Sequence, residues 1–307
     1  MARTLALTGG TGFVGGHAIA EALRRGHRVR ALARKPQGPR DGLEWIAGSL
    51  SDEPALHRLV DGTDVVVHIA GVTNAANRRG FEEGNILGTA TLRRAIGPRP
   101  LVHVSSLSAR EPQLSIYGWS KLAGEQIACG TEGPVAIVRP PGVYGPGDRD
   151  FLELMKIART GFVPFPAGSV AAMIFGPDLA QALIALAEDL AGPGVTAGRS
   201  FEIDDGTGGY TPAEVAAAIG AALNRPVRPF QVAPGLLKVA AFADTALAGL
   251  KGGLPRLTHD RAGYMAHPDW SADSRALADL GIWQPTTALV EGMAATAAWY
   301  REQGLLP

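Results

Sequence analysis

Tyr117 and Lys121 stand four residues apart in the run YGWSK, and a helix through that run brings both side chains onto one face. An ammonium beside a phenol favours the phenolate and lowers a pKa that is about 10 in isolation. A tyrosine so placed exchanges a proton with a carbonyl or hydroxyl oxygen near neutral pH. The spacing alone arises by chance, so its meaning depends on what precedes it. What precedes it is Leu101-Val102-His103-Val104-Ser105-Ser106, with Ser108 just beyond. A hydroxyl at the C-terminal end of a central strand can polarise a substrate oxygen, although serine more often caps a turn. Of the three serines, Ser106 is the expected polarising group.

Near the start, LALTGGTGFVGGHAIAEAL sets Gly9, Gly12 and Gly15 in a G-x-x-G-x-x-G spacing, with Thr11 inside the loop. A strand pattern precedes it and a helical one follows. The first glycine permits the tight turn, the second lets backbone approach a pyrophosphate, and the third lets helix pack on strand. Backbone N–H groups and the positive helix end around Phe13 and Val14 then hold phosphates. This pattern predicts dinucleotide binding. The second strand ends in Ala31-Leu32-Ala33-Arg34-Lys35, with no acid for the ribose hydroxyls. An Arg34 guanidinium suits a 2′-phosphate instead, which favours NADP over NAD.

The elements that must position these residues are βαβ units. Strand patterns fall at Thr4 to Thr8, Arg28 to Ala33, Val65 to Ala70, Leu101 to Ser105 and Val135 to Arg139. Helical patterns lie at Gly15 to Arg25, Pro54 to Val60, Asn85 to Ile96 and Tyr117 to Cys129. The predicted fold is α/β, a doubly wound parallel Rossmann sheet whose ligand crevice lies beyond the strand C-termini. A helix is predicted from about Phe151 to Thr160, and no hydrophilic linker follows. Residues 1–165 form the expected dinucleotide-binding domain and 166–307 a smaller, partly interleaved substrate-binding cap, with a soft boundary near Phe165. The Ala- and Leu-rich stretch Gly235 to Gly253 reads as a packing helix of that cap, or as a cover over an apolar substrate.

Composition removes several classes. The 307 residues carry 29 basic and 29 acidic side chains, so no global field recruits nucleic acid or an anionic membrane. A single cysteine, Cys129, excludes internal disulfides and cysteine-built zinc sites, and reads as a small buried apolar side chain. The seven histidines form no pair with ligand spacing, so no metal is expected. His68 and His103 read as satisfied polar groups on strands. Neither G-x-S-x-G nor a glycine loop ending in G-K-[ST] is present, against a serine hydrolase or a P-loop nucleotidase. The most apolar later stretch, Pro234 to Leu254, is broken by Lys238, Asp244 and Lys251, and so fails the uncharged span of about 18 residues that a membrane crossing needs. Without a signal-peptide pattern, the expected compartment is the cytoplasm.

TGGTGFVGG, the HIAG at His68 to Gly71, Asn85-Ile86-Leu87-Gly88-Thr89, VSSLSA, YGWSK and RPPGVYGP together resemble the extended short-chain dehydrogenase/reductases, in that family's order. The family spans NAD-dependent epimerases and dehydratases and hydroxysteroid-dehydrogenase-like enzymes, and the resemblance continues through Asp178, Thr211, Glu214 and the closing LGIWQP and WY segments. It implies that Tyr117 is the acid/base, that Lys121 binds the nicotinamide ribose and tunes Tyr117, and that Ser106 orients the substrate oxygen. It implies further that Asn85 supports a proton relay, that Ala70 and Gly71 present backbone to the cofactor, and that Pro140 and Val143 lie near the carboxamide. Two departures stand out. Gly48-Ser49-Leu50 replaces the frequent Gly-Asp-Leu beside adenine, leaving Leu50 there and moving the carboxylate at best to Asp52. Gly176-Pro177 precedes Asp178 where a valine or histidine is frequent.

The expected function is hydride transfer between nicotinamide and a carbonyl or alcohol of a small-molecule substrate. One alternative is a sugar-nucleotide epimerase or dehydratase, for which Arg149, Arg159 and Arg256 are candidate diphosphate ligands. The other is a non-catalytic dinucleotide-binding protein. In the resembling family the helices at Asn85 to Ile96 and Tyr117 to Cys129 pair across dimers, so a homodimer is the expected assembly.

Overall fold

The computed structural model describes residues 1–233, 235, 236, 239, 241, 242, 244 and 257–307. Most of the stretch Gly235 to Gly253, together with Arg256, lies outside the described residues.

Seven strands form one parallel sheet: β1 (Thr4–Thr8), β2 (Arg28–Ala33), β3 (Leu43–Ala47), β4 (Val65–His68), β5 (Leu101–Val104), β6 (Val135–Arg139) and, late in the chain, Arg199–Glu202. From that late strand the order runs β6, β5, β4, β1, β2, β3, and every pairing is parallel. Parallel strands covered on both faces must be apolar throughout. Accordingly Leu5, Ala6 and Leu7, and Val65, Val66 and Val67, are wholly buried. Strand order reverses between β1 and β4, so the crevice opens beyond Thr8 and His68.

The crossover helices are α1 (Phe13–Arg24), α2 (Glu53–Val60), α3 (Arg78–Phe81) with a π-helical turn at Glu82–Leu87, α4 (Gly88–Ile96) and α5 (Ile116–Ala128). One core layer joins Leu56, Leu59, Leu92 and Ile96 of α2 and α4 to Ala6, Val66, Leu101 and Ile137 of the sheet. Helix α2 starts at Asp52, whose carboxylate accepts the Ala55 N–H. The acid suggested as a replacement adenine contact is therefore in use as a helix cap.

Contacts divide the chain into two compact units. The first holds Met1–Pro140, Leu179–Glu202 and Arg275–Gln284; the second holds Pro141–Asp178, Ile203–Ser274 and Pro285–Pro307. The chain thus first changes unit at Pro140, earlier than the boundary expected near Phe165. Two later segments return to the first unit, one of them supplying the edge strand Arg199–Glu202.

The second unit has its own core of Tyr144, Met155, Phe175, Ile219, Met293 and Tyr300. Its elements include α6 (Arg149–Ala158) and α7 (Pro212–Ala222). Thr211 and Glu214 bond reciprocally across the start of α7 as a capping box. Asp178, buried, accepts four hydrogen bonds from the backbone N–H and hydroxyl groups of Thr286 and Thr287. That carboxylate ties two distant stretches of the unit together, a structural use of its place in the sequence motif. Two parallel strands, β7 (Phe162–Pro166) and β8 (Arg228–Val232), pair with Phe162 opposite Arg228.

Candidate active site

The glycine turn after β1 has the shape its spacing requires. Gly9 has φ +80°, and a β-carbon there would lie 2.7 Å from the Ala70 nitrogen. One on Gly15 would lie 2.0 Å from the Gly9 carbonyl oxygen, and one on Gly12 3.2 Å from the same atom. Turn, helix and the Ala70 backbone are packed closer than any side chain allows. Gly12 is the N-cap of α1 in extended conformation, no side chain caps the helix, and no acid lies in its first turn. The leading N–H groups at Phe13, Val14 and Gly15 are therefore left for an anion, at the positive end of a helix of 12 residues. Thr11 and Gly12 are exposed beside them. This cradle fits the pyrophosphate of a dinucleotide.

Ala33 is buried at the end of β2, and Arg34 is exposed in the turn that follows. Among the described residues Arg34 has no ion-pair partner, so its guanidinium is available to an added phosphate. Leu50 is half-buried against Gly88, where a β-carbon would lie 2.8 Å from its Cδ1.

After β4, Ala70 donates its N–H to the Thr8 hydroxyl at 3.3 Å. Gly71 faces the next layer, since a β-carbon there would lie 3.0 Å from Asn85 Oδ1 and 3.5 Å from Lys121 Nζ. Asn85 sits within the π-helical turn, buried. Its Oδ1 accepts the Val72 N–H at 2.7 Å, and its Nδ2 donates to the Val72 carbonyl at 2.9 Å and to Ser120 Oγ at 2.8 Å. Its own carbonyl accepts the Thr89 hydroxyl at 2.8 Å. A π turn inserts one extra residue into a helix, and such turns recur at functional sites. Here it aims the Asn85 amide at the loop after β4 and at α5 together.

Helix α5 begins at Ser115, whose hydroxyl accepts the Gly118 N–H. Ser120, wholly buried, donates to the Tyr117 carbonyl at 2.8 Å, so Asn85 and the first turn of α5 are linked through one hydroxyl. A β-carbon on Gly118 would lie 2.5 Å from the Ser108 carbonyl, and one on Gly124 2.9 Å from the Asn85 carbonyl. Two glycines thus press α5 against the serine loop and against the Asn85 turn. Tyr117 is half-buried, its ring 6.1 Å from that of Phe81.

Lys121 is buried and donates to the Val104 carbonyl at 2.7 Å. Burial pushes its pKa down to about 8, against the opposing pull of the Glu125 carboxylate. Glu125 is itself held by Nε and Nη2 of Arg139 at 2.8 and 2.7 Å and accepts the Ser105 hydroxyl. Ser105 is therefore committed to the sheet–helix joint. Ser106 stands at the N-cap of the short 3-10 turn Leu107–Arg110, accepting from the Ser108 N–H and hydroxyl at 3.2 and 2.9 Å. Its own proton remains to be donated, which separates it from its two neighbours. Pro140 is buried and its carbonyl accepts the Leu107 N–H. Val143 belongs to the second unit, where it pairs with Ile174.

Two readings from the sequence change. Cys129 is exposed at the C-cap of α5 rather than buried, because it lies just past Ala128, the last residue of that helix packed into the core. His68 is satisfied by the Thr8 and Thr89 hydroxyls at 2.6 and 3.1 Å, but both ring nitrogens of buried His103 lack a hydrogen-bond partner among the described residues. Burial drives His68 down to about 3 and His103 well below its ordinary value, so both rings are neutral. Ser120, Gly118 and Gly124 were the positions not singled out for function. Their signal was present in the run YGWSKLAG, where small residues fall on the face of α5 that carries Tyr117 and Lys121.

A bare helix terminus at the switch point of a doubly wound parallel sheet places the chain among dinucleotide-binding α/β proteins. The family model for the NAD dependent epimerase/dehydratase family matches residues 5–162, and the chain belongs to that family. It is an enzyme of the NAD-dependent reductase, dehydrogenase and epimerase group. A ceramide reductase of Caulobacter vibrioides is 34% identical over 313 residues, covering 99% of this chain and 96% of the relative. A 3 beta-hydroxysteroid dehydrogenase/Delta 5-->4-isomerase of Mycobacterium tuberculosis is 27% identical over 237 residues, 65% of this chain and 64% of the relative. The fold is shared with MoeE5 in complex with UDP-glucose and NAD, at a TM-score of 0.73 and 24% identity over 98% of this chain and 99% of the other.

Proposed function

We propose that this enzyme is an NADPH-dependent reductase of a ketone carried on a long-chain, lipid-like molecule. The geometry supporting the reaction is the buried Lys121 ammonium one turn from Tyr117, in a layer fixed by Asn85 and Ser120. The bound cofactor would supply a hydride to the carbonyl carbon. Tyr117 donates its phenolic proton to the carbonyl oxygen as that oxygen gains charge, Ser106 donates a hydrogen bond to the same oxygen, and Lys121 stabilises the resulting phenolate. Phe13, Val14 and Gly15 hold the pyrophosphate on their N–H groups. Ala70, Gly71, Leu50 and Pro140 complete the cofactor contacts within the first unit. The second unit is the substrate-binding cap.

The substrate class rests on end-to-end similarity to a ceramide reductase, and an apolar substrate also suits the hydroxysteroid enzyme. The sugar-nucleotide reading needs cations to grip a diphosphate. Arg149 opens α6 and Arg159 follows its last residue, about 15 Å apart along the axis, so the two do not form an adjacent pair of cations. Incubation with NADPH and a long-chain N-acyl amino ketone should consume the cofactor's absorbance with alcohol formed in equal amount. Interconversion of a UDP- or dTDP-sugar with no net redox change, and no ketone reduced, would overturn the proposal.

The cofactor choice rests on Arg34. Thermal-shift titration should show tighter binding of NADPH than NADH by about 10-fold or more, a gap that Arg34→Ala closes, since a charge-assisted bond to phosphate contributes about 1.5–3 kcal/mol. A preference for NADPH that survives the substitution would remove Arg34 from the site.

A further inference from the structure

The second unit carries exposed aromatic side chains where a soluble surface seldom has them. Phe162 and Phe230 are each 55% exposed, and Ile157, near the end of α6, is 46% exposed. Register places them together. In the paired strands β7 and β8, Phe162 lies opposite Arg228 and Phe230 opposite Pro164. Because side chains alternate along a strand, Phe162, Pro164, Arg228 and Phe230 share one face, while Val163 points to the core and is wholly buried. Helix α6 reaches that face through Arg159 and a tight turn, in which Gly161 donates to the Ala158 carbonyl and accepts from the Arg228 N–H.

The charge around these rings has one sign. Residues 154–177 contain no acid, and neither do residues 215–243. Arg159, Arg225 and Arg228 are exposed and have no ion-pair partner among the described residues. Exposed apolar rings rimmed by unpaired arginines form the pattern that inserts into the headgroup layer of an anionic bilayer, where rings enter the acyl boundary and cations meet phosphate. Two copies of this chain related by a two-fold axis would set the arginines against one another, which disfavours self-association here. Beyond β8, Leu236, Val239 and Phe242 are also exposed, at 53%, 63% and 77%, and their spacing of three keeps to one helical face.

We infer that the face built by β7, β8 and the end of α6 is a peripheral docking surface for an anionic phospholipid membrane, with Phe162 and Phe230 inserting and Arg159, Arg225 and Arg228 binding headgroup phosphates. No described helix is long and apolar enough to cross a membrane, so attachment is to the surface and reversible. This inference deepens the lipid-substrate reading, since a long-chain ketone resides in the bilayer that the enzyme would then touch.

The test uses the full chain in vesicle flotation, with phosphatidylcholine vesicles and with vesicles containing phosphatidylglycerol, and with no substrate added. Wild type should float with the anionic vesicles, far less with the neutral ones, and be released by salt. Phe162→Ser with Phe230→Ser should weaken binding by about 10-fold or more, and Arg159→Gln with Arg228→Gln by about 5-fold for each charge. Both variants should keep the wild-type Tm and reduce a short water-soluble ketone at the wild-type rate. That separates failure of the docking surface from failure of the reductase reading. Absence of anionic-vesicle binding, binding unchanged by the paired serine substitutions, or a vesicle-independent dimer that those substitutions dissociate would each overturn the inference.

Discussion

Tyr117→Phe lowers the rate of carbonyl reduction by about 100- to 10,000-fold, the contribution of a positioned general acid, and leaves NADPH affinity near wild type. The substitution removes one oxygen and keeps the ring that packs near Phe81, so the thermal midpoint should move by no more than about 1–2 °C. Single-turnover kinetics at saturating cofactor separate the proton step from binding. Activity within a few-fold of wild type would show that the proton comes from elsewhere and would take the acid/base role from Tyr117.

The same chemistry has a pH signature. Lys121 is charged below a pKa of about 8, lowered chiefly by burial and partly restored by Glu125. As pH rises through that value the ammonium is lost, the phenolate formed at Tyr117 loses its neighbour, and the reduction rate falls. Glu125→Gln removes the carboxylate that favours the ammonium, so the alkaline limb of the pH–rate profile should move to lower pH. The variant also leaves the Arg139 guanidinium without its carboxylate partner and should be less stable, so the profile is read below its lowered thermal midpoint. A limb that stays in place would assign it to another group.

The sheet strands legible in the sequence share one property: each is an interior strand with a neighbour on both sides. β1, β2 and β6 are found where the apolar runs lie, with the residues expected. Within the seven-stranded sheet, the two strands with no counterpart in the sequence reading, Leu43–Ala47 and Arg199–Glu202, form its two edges. Both are part-exposed, and LEWIA and RSFE mix charges with apolar residues, so no continuous hydrophobic run announces them. Asn85 illustrates a second limit. Its motif marked it, and periodicity placed it in a regular helix, but the π turn that aims its amide is a one-residue insertion set by the Val72 and Ser120 partners. Partners distant in sequence do not show in a local pattern. The unit boundary eluded sequence reading for the same reason, since the segments that return to the first unit do so by packing and not by composition.

The glycine turn offers the cleanest separation of geometry from composition, because two adjacent glycines of α1 differ in everything but type. Gly15→Ala would put a β-carbon 2.0 Å from the Gly9 carbonyl oxygen, a contact that backbone on both sides must move to relieve. Stability should fall by about 3 kcal/mol, lowering the thermal midpoint by about 5–10 °C. The same displacement turns the leading N–H groups of α1 away from the phosphates. Loss of two charge-assisted bonds at about 1.5–3 kcal/mol each weakens dinucleotide binding by about 100-fold or more. At Gly16 a β-carbon would meet nothing within 4 Å, and the position is exposed within the helix. Gly16→Ala should therefore stabilise the protein by about 0.5–1 kcal/mol, through the lower entropy of alanine in the unfolded chain, with dinucleotide affinity unchanged. Calorimetric titration and thermal unfolding of the two variants read both effects. Equal behaviour of Gly15→Ala and Gly16→Ala would mean that close approach at Gly15 is not what shapes the phosphate cradle.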